Sequence, residues 1–331
     1  MVGSDKSKSK NASTRPAKGL VVGVTGATGD LGRLLLPRLA EDPRVEKVIA
    51  LDVAAPVPMS KVEFRRVDLT RPGIENELAA ALTETKVQAL YHLAFISSRV
   101  RSAAFAHELE VIGSMHVLAA AAALGLKRLI FPSLTALYGA RANAPALITE
   151  AALLAGCPGS RFVNDKVEVE NQLQIFRAAH PRMQVLVLRF APIVGPTSDN
   201  PITRWLRTRV VPTLLGFDPL WQVLHEEDAA DALHTALFSQ ATGAFNVAAE
   251  GVLPLSAVVR LSGGQAVPLP RTILINAMRA LDALGAPTAL PPLMDYLHYS
   301  WVADGTRAAR ELQFMPKWQA SDAIAAVRRA S

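Results

Sequence analysis

The sequence predicts an α/β fold, in which a doubly wound parallel sheet is followed by a smaller C-terminal α/β cap. Through the first 190 residues, short apolar runs rich in valine alternate with longer runs that have helical spacing. This alternation is typical of parallel strands joined by right-handed helical crossovers. After residue 190 prolines multiply and the apparent helices shorten. We therefore predict one large domain over residues 19–190 and a smaller substrate-binding region over 191–331.

The individual elements follow from the periodicity of the apolar residues. Strands are predicted at 19–26, 46–52, 62–69, 87–94, 127–133 and 183–190, with 243–249 as one further candidate. Helices are predicted at 30–42, 73–85, 103–125 and 161–180. No internal repeat interrupts this order, so the sequence predicts one continuous sheet.

Composition and charge narrow the function classes. The formal net charge is +6, but residues 1–18 contain five basic residues and one acidic residue, which leaves +2 for the remainder. That polar tail is predicted to be disordered, and a nearly neutral body is not typical of nucleic-acid binding. No apolar run approaches the roughly 18 residues that a membrane span needs, and the tail lacks the apolar stretch of a secretory signal.

Cysteine and histidine usage supports a cytoplasmic protein without a bound metal. The single Cys157 cannot form an internal disulfide, so a reducing compartment is expected. The segment "HEED" at 225–228 lacks the histidine spacing of a helical zinc site. We therefore predict a cytoplasmic location and assign no metal.

A glycine-rich loop follows the first predicted strand. In "VTGATGDLG", Gly26, Gly29 and Gly32 allow a tight turn and let a pyrophosphate approach the N-terminus of the next helix. Asp52 ends the second predicted strand, twenty residues after Gly32, where a carboxylate would bind an adenosine ribose and repel a 2′-phosphate. This pattern predicts NAD in preference to NADP, although Arg33 weakens that preference slightly. The alternative is a tight strand–helix turn that binds no ligand.

Several motifs in order resemble one enzyme family. Besides the glycine loop they are "VDL" (67–69), "HLAF" (92–95), "SLTALYG" (133–139), "LRFAPIVGP" (188–196), "LHEEDAADAL" (224–233) and "ELQFMP" (311–316). With this pattern the chain resembles the extended short-chain dehydrogenase/reductase superfamily, in its NAD-dependent epimerase/dehydratase (UDP-glucose 4-epimerase-like) branch. The resemblance implies a Rossmann domain, and a homodimer formed through the helices near 103–124 and 161–180.

The resemblance also implies the residues that contact the cofactor. They are Gly26, Thr28, Gly29, Asp30, Leu31, Gly32, Asp52, Asp68, Leu69, Leu93, Ala94, Phe95 and Lys166. In the family, Asp68 would touch the adenine and Lys166 would hold the nicotinamide ribose. Lys166 is also the one member of the family's catalytic set that this chain retains.

The other catalytic positions of the family carry different residues here. The Ser/Thr position is Leu134, the tyrosine position is Phe162, and the supporting Asn position is Glu110. A shift of one residue would bring Ser133 or Thr135 into use, but neighbouring residues of a strand face opposite sides.

Alternative interpretations remain for the nearby polar residues. Glu110 and Asp165 are either replacement acids or, as the sequence favours, surface charges. Tyr138 is interpreted as a packing residue. Lys166 without a tyrosine partner is alternatively a solvated helix lysine.

The substrate motifs also depart from the family. An Asn is replaced by Pro192, and an Arg that grips phosphate in sugar-nucleotide epimerases is replaced by Trp221. The arginines at 204, 207 and 209 are an alternative source of charge, and the apolar segment 271–285 either lines a pocket or packs in the core. Two hypotheses remain. One is an epimerase, dehydratase or reductase acting on a nucleotide sugar or a more apolar hydroxyl or ketone, and the other is a catalytically inactive NAD(H)-binding sensor or partner subunit.

Overall fold

A seven-stranded parallel sheet forms the centre of the protein in the computed structural model, which describes residues 19–95, 103–283 and 294–328. The predicted disordered tail lies outside these residues. The sheet order is β11-β6-β5-β4-β1-β2-β3. These strands are β1 (Leu20–Thr25), β2 (Val45–Asp52), β3 (Val62–Arg66), β4 (Ala89–His92), β5 (Arg128–Leu134), β6 (Gln184–Phe190) and β11 (Gly243–Val247). The doubly wound α/β prediction is confirmed.

Helices cover both faces of the sheet. The α-helices of the described residues are α1 (Asp30–Glu41), α2 (Ile74–Glu84), α3 (Ala103–His107), α4 (Gly113–Leu124), α5 (Arg161–Ala179), α6 (Pro201–Arg207), α7 (Glu226–Phe238), α8 (Leu255–Leu261), α9 (Arg271–Ala283) and α10 (Ala320–Ala326). Helices α1 and α7 pack on one face, while α2, α4 and α5 pack on the other. Alternate residues of β2 enter the two cores, because successive strand side chains point to opposite faces.

The chain after β6 supplies most of a third hydrophobic core and also returns to the sheet. Its short strands are β7 (Ile193–Val194), β8 (Val210–Leu214), β9 (Leu220–Trp221), β10 (Leu224–His225), β12 (Leu253–Pro254) and β13 (Gln265–Leu269). They pair as β10 with β7, β12 with β9 and β13 with β8. Strand β11 pairs in parallel with β6 of the main sheet, so the large layer draws on residues beyond 190.

Two predicted elements differ from the structure. The single helix predicted at 103–125 is divided by a π-helical turn, Glu108–Ile112, which places an extra residue between α3 and α4. Apolar periodicity cannot reveal one inserted residue in an alanine-rich helix. The third strand, predicted to reach residue 69, ends at Arg66, and the amide of Val67 turns to the carbonyl of Asp52 at 2.9 Å.

The sheet order places the site. The direction of winding reverses between β1 and β4, and ligands of open α/β sheets bind at the carboxyl ends of the strands beside such a reversal. Within the described residues, none of the helices combines the length and apolarity that crossing a membrane would require.

Candidate active site

The glycine loop lies between β1 and α1. Its three glycines differ in how much room the fold leaves for a side chain. Gly26 has φ of 67°, and a Cβ there would lie 2.5 Å from the backbone of Leu93 and Ala94. A Cβ on Gly32 would lie 2.5 Å from the carbonyl oxygens of Gly26 and Ala27. A Cβ on Gly29 would meet only the oxygen of Gly26, at 3.3 Å. The fold itself therefore requires Gly26 and Gly32 but leaves room at Gly29.

The first turn of α1 is open to an anion. Gly29 is its N-cap and supplies no side-chain cap, so no side chain covers the free N–H groups there. Asp30 in that turn is neutralised by an ion pair with Arg33 at 2.5 Å. A helix N-terminus that lacks a side-chain cap and follows a glycine turn fits the pyrophosphate of a dinucleotide.

Acidic side chains stand where the adenosine end of that dinucleotide would lie. Oδ2 of Asp52 accepts hydrogen bonds from the backbone N–H and the hydroxyl of Thr28, at 2.8 and 2.9 Å. Asp68 accepts from the backbone N–H and hydroxyl of Thr70, at 3.0 and 2.7 Å. Leu69 beside it is buried. Both carboxylates are held in place by short local hydrogen bonds, and the negative charge of Asp52 would repel a 2′-phosphate.

His92 ends β4 and lies at the centre of a buried hydrogen-bond chain. The hydroxyl of Ser114 donates to the carbonyl of Glu110, so it must accept from Nε2–H of His92, which lies 3.0 Å away. Nδ1 is then unprotonated and accepts from the hydroxyl of Thr25 at 2.8 Å. Burial, followed by the positive charge of Lys166, lowers the pKa of His92 to about 3. His92 is therefore a neutral positioning residue.

Because His92 is neutral in the folded protein, we expect the free energy of unfolding to fall in mild acid. Because the folded-state pKa lies below the usual 6.5, the unfolded chain takes up a proton that the folded chain refuses between pH 6.5 and about 3. Stability is complete above pH 6.5 and falls below it by up to about 1.4 kcal/mol per pH unit. Urea unfolding between pH 7 and 4 measures this slope. The slope is expected to be shallower in His92→Asn, and an equal slope in both proteins would contradict the assignment.

Lys166 is buried and ion-paired. Its Nζ lies 2.8 Å from Oε2 of Glu110, 3.9 Å from the ring centroid of Phe95 and 5.2 Å from that of Phe162. Lys166 is 4% exposed and Glu110 is 1% exposed. The interpretations of Lys166 as a solvated lysine and of Glu110 as a surface charge are therefore wrong. The π-helical turn directs Glu110 inward to the lysine from a helix 56 residues earlier.

The hydroxyl groups near Leu134, the family's Ser/Thr position, form hydrogen bonds within a buried network. Ser133 donates to Glu170, which forms a buried ion pair with Arg189 at 2.6 Å. Tyr138 donates to Asn246 at 2.7 Å and accepts from Arg189 at 2.7 Å. Burial raises the pKa of Tyr138. Tyr138 thus acts as the predicted packing residue, with a structural hydrogen bond in addition.

Thr135 and Asp165 lie on either side of this region. Thr135 is buried and begins a 3₁₀ turn, Thr135–Tyr138. Asp165 is also buried, which contradicts its interpretation as a surface charge. Its carboxylate lies 3.0 Å from Nδ1 of His107 and 3.7 Å from Nε of Arg161. His107, Asp165 and Glu168 together could hold a metal ion. However, the guanidinium of Arg161 already supplies a positive charge beside Asp165.

A cavity of about 350 Å³ connects the start of α1 with Lys166. Its lining includes Ser133 but not Thr135 among the described residues. The apolar members of the lining are Leu31, Leu34, Phe95, Pro132, Leu134, Ala136, Phe162, Val163, Phe190, Pro192, Ile193, Pro201 and Ile202. The polar and aromatic members are Asp30, Ser133, Ser160, Lys166, Ser198, Asn200, Tyr296 and Trp301. The cofactor loop and the family's catalytic positions thus share one cavity.

The structure shows where the residues of the substrate-binding alternatives lie. Arg209 is exposed, and it is absent from the described cavity lining, as are Arg204 and Arg207. Trp221 is buried and donates to the carbonyl of Tyr296 at 3.0 Å, so it packs instead of facing a ligand. Arg204 pairs with Asp199 at 2.6 Å, and Arg207 donates to backbone carbonyls. Leu274 of α9 is buried in the third core, as the core interpretation of 271–285 expects. Sequence reasoning missed Tyr296 and Trp301, although the aromatic-rich run "YLHYSW" (296–301) was a visible signal.

Comparison with known proteins adds to this geometry. The model of the NAD dependent epimerase/dehydratase family matches residues 22–248, which include the whole glycine loop, Asp52 and Lys166. The chain belongs to this family. Uncharacterized proteins of Mycobacterium tuberculosis and Mycobacterium bovis are 34% identical over 324 residues, covering 94% of this chain and 84% of theirs. NAD is the cofactor of the family, and the open α1 turn and Asp52 fit it.

Solved structures share the fold across nearly the whole chain. UDP-glucose 4-epimerase with UDP-glucose from Thermotoga maritima has a TM-score of 0.71 at 19% identity, covering 93% of this chain and 97% of that one. dTDP-glucose 4,6-dehydratase from Bacillus anthracis, in complex with NAD, has a TM-score of 0.71 at 15% identity, covering 94% and 96%. At these identities the likeness establishes the Rossmann-type fold of this chain.

Proposed function

We propose that this epimerase/dehydratase is an NAD-dependent oxidoreductase that interconverts a secondary hydroxyl and a ketone, with Lys166 and Glu110 in place of the family's tyrosine. The observation that carries the proposal is the buried ion pair between them, 2.8 Å long, whose lysine lines the cavity that begins at the glycine loop, while Glu110 lies outside the described lining.

The pair offers a route for the substrate proton. Bound NAD would supply the hydride acceptor, or as NADH the hydride donor. In oxidation, the substrate C–H bond would break and its hydrogen would leave as hydride to that acceptor. The O–H bond breaks as its proton passes to Lys166, while Lys166 passes one of its own protons to Glu110. The alcohol becomes a ketone and the proton finishes on the carboxyl of Glu110.

A second function has specific support. Leu134 and Phe162 remove both hydroxyl groups of the family's usual acid–base set, and general acid–base catalysis contributes about 10²–10⁴-fold to rate. An NAD(H)-binding sensor or partner subunit would need neither group. It would retain the glycine loop, Asp52 and Lys166, as this chain does.

The test measures NADH formation and consumption with secondary alcohols and ketones, and product formation with UDP-glucose, because an epimerisation leaves no net NADH. Glu110→Gln is expected to lower kcat by about 10²–10⁴-fold, to flatten the pH–rate profile and to leave NAD affinity unchanged. The matched control is Ser133→Ala, which removes a hydroxyl from the same cavity wall and should leave kcat unchanged. With UDP-glucose the unmodified protein is expected to be feeble at most. Absence of turnover with every substrate, despite NAD binding, would favour the sensor.

A homodimer is expected through α3–α4 and α5. These helices carry large apolar side chains on the surface, namely Phe105, Met115 and Ile175, which are 51%, 50% and 73% exposed. Burying such side chains against a second copy would remove their apolar area from water. Light scattering at micromolar concentration should report twice the chain mass of 35.4 kDa, and a monomer would reject the proposal.

A further inference from the structure

We infer that the substrate is a compact, uncharged and mostly hydrocarbon secondary alcohol or ketone, and not a nucleotide sugar. This inference rests on the proposed function and specifies its substrate class. Its basis is the wall of the 350 Å³ cavity, in which the hydroxyl groups and the amide already have hydrogen-bond partners within the protein and no lining arginine is present among the described residues.

The lining hydroxyl groups have partners inside the protein. The pairs are Ser133 with Glu170, Ser198 with Glu226, Ser160 with the backbone of Val163, and Tyr296 with the carbonyl of Ala136. A sugar ring presents several hydroxyl groups that lose their hydrogen bonds to water on entering such a site. Each unreplaced hydrogen bond costs about 1–3 kcal/mol, so this wall disfavours a sugar.

The lining amide is committed in the same way. Oδ1 of Asn200 accepts from the backbone N–H groups of Ile202 and Thr203, at 3.1 and 3.0 Å, and its Nδ2 donates to the carbonyl of Ile193 at 2.7 Å. This asparagine caps α6, and its polar atoms hold the helix start in place. It is therefore part of the scaffold of the cavity.

Charge also disfavours a diphosphate. Lys166 is the one lysine or arginine in the described lining, and Glu110 pairs with it. Asp30 adds a carboxylate at the other end of the cavity, where Arg33 neutralises it. A second diphosphate would enter this space without an unpaired cation in the described lining to match it, and proteins recognise phosphate groups through arginine, lysine or open helix N-termini.

Shape and apolar character then define the ligand. The cavity is near the small end of the roughly 300–1,000 Å³ typical of ligand pockets, and it must also admit the nicotinamide. Leu134, Phe162 and Ile202 form apolar parts of the wall of the cavity that Lys166 also lines. The ammonium group of Lys166 can donate a hydrogen bond to one oxygen of the ligand. Trp301, also in the lining, has an indole N–H with no hydrogen-bond partner among the described residues. A small cyclic hydrocarbon with one oxygen matches this wall.

Binding to the NADH-loaded protein tests the inference independently of turnover. The probes are trans-1-decalone, a bicyclic ketone, and UDP-glucose, each titrated against NADH fluorescence and by calorimetry. We expect decalone to bind at least about tenfold more tightly than UDP-glucose. Tighter binding of UDP-glucose, or no binding of decalone at millimolar concentration, would overturn the inference.

A wall variant separates specific binding from general adsorption. Leu134→Ser removes apolar surface from the cavity and should weaken decalone binding by roughly 10-fold or more, without creating affinity for UDP-glucose and without changing NADH affinity. Unchanged decalone affinity would place the ketone elsewhere and overturn the inference. Decalone binding without any turnover would support the substrate class but reject the proposed function. Turnover of UDP-glucose without decalone binding would support an oxidoreductase function but reject the substrate class.

Discussion

Replacing Gly29 with valine is expected to abolish NAD binding while leaving the protein folded. A Cβ at this position meets only the oxygen of Gly26, at 3.3 Å, and the backbone has an ordinary φ of −68°. The Cβ of the side chain therefore requires a shift of only a few tenths of an ångström in the fold, but the side chain occupies the approach to the first turn of α1, where the pyrophosphate would bind. Calorimetric titration should show an affinity loss of at least about 100-fold, or ~2.7 kcal/mol.

Gly32→Val is the matched control three residues later. Its Cβ would lie 2.5 Å from two backbone oxygens, so the loop itself must move and the free energy of unfolding should fall. Gly29→Val is thus expected to lose binding at nearly constant melting temperature, while Gly32→Val is expected to lose stability first. Wild-type affinity for NAD in Gly29→Val would contradict the placement of the pyrophosphate at this turn.

The sheet and the cofactor loop could be predicted from the sequence because their determinants are local. Each strand is a short apolar run bounded by turn residues, and each glycine of the loop follows β1 at a fixed spacing. Asp52 was predictable as the end of β2 for the same reason. Nothing in these predictions required knowing which distant residues touch one another.

The ion pair in the site could not be predicted in this way. Glu110 and Lys166 are 56 residues apart, and their contact depends on the π-helical turn that rotates Glu110 toward α5. A single inserted residue leaves no trace in the alanine-rich pattern around it. Without that contact, a glutamate in a helix is more economically interpreted as a solvated charge, which is the interpretation that the structure overturns.

The role of Ser133 was hidden for a related reason. The sequence shows a hydroxyl beside the lost catalytic position, but its partner, Glu170, comes from α5 and is itself bound to Arg189 of β6. Strand β5, helix α5 and strand β6 must all pack together before the hydroxyl of Ser133 gains this hydrogen-bond partner. Side-chain networks of this kind are properties of the tertiary structure, and strand alternation alone indicated only that the residue faces away from Leu134.

Replacing Lys166 with methionine is expected to destabilise the protein strongly, and the loss should be recovered by a second substitution. Methionine keeps the apolar stem beside Phe95 but leaves the carboxylate of Glu110 buried without its cation. Removing one partner of a buried ion pair costs about 3–5 kcal/mol, whereas replacing both by apolar residues is often neutral or stabilising. We therefore expect Lys166→Met with Glu110→Leu to regain most of the free energy of unfolding.

Urea unfolding of the wild type, both single variants and the double variant closes the thermodynamic cycle. The exposed pair of Arg307 and Glu311 is the control. Because solvent screens this pair, Glu311→Gln should change the free energy of unfolding by too little to measure. NAD affinity and turnover of the double variant separate structure from chemistry, because a refolded protein without Lys166 should remain inactive. A coupling energy near zero between positions 110 and 166 would show that the two charges do not form the pair on which the proposed proton transfer depends.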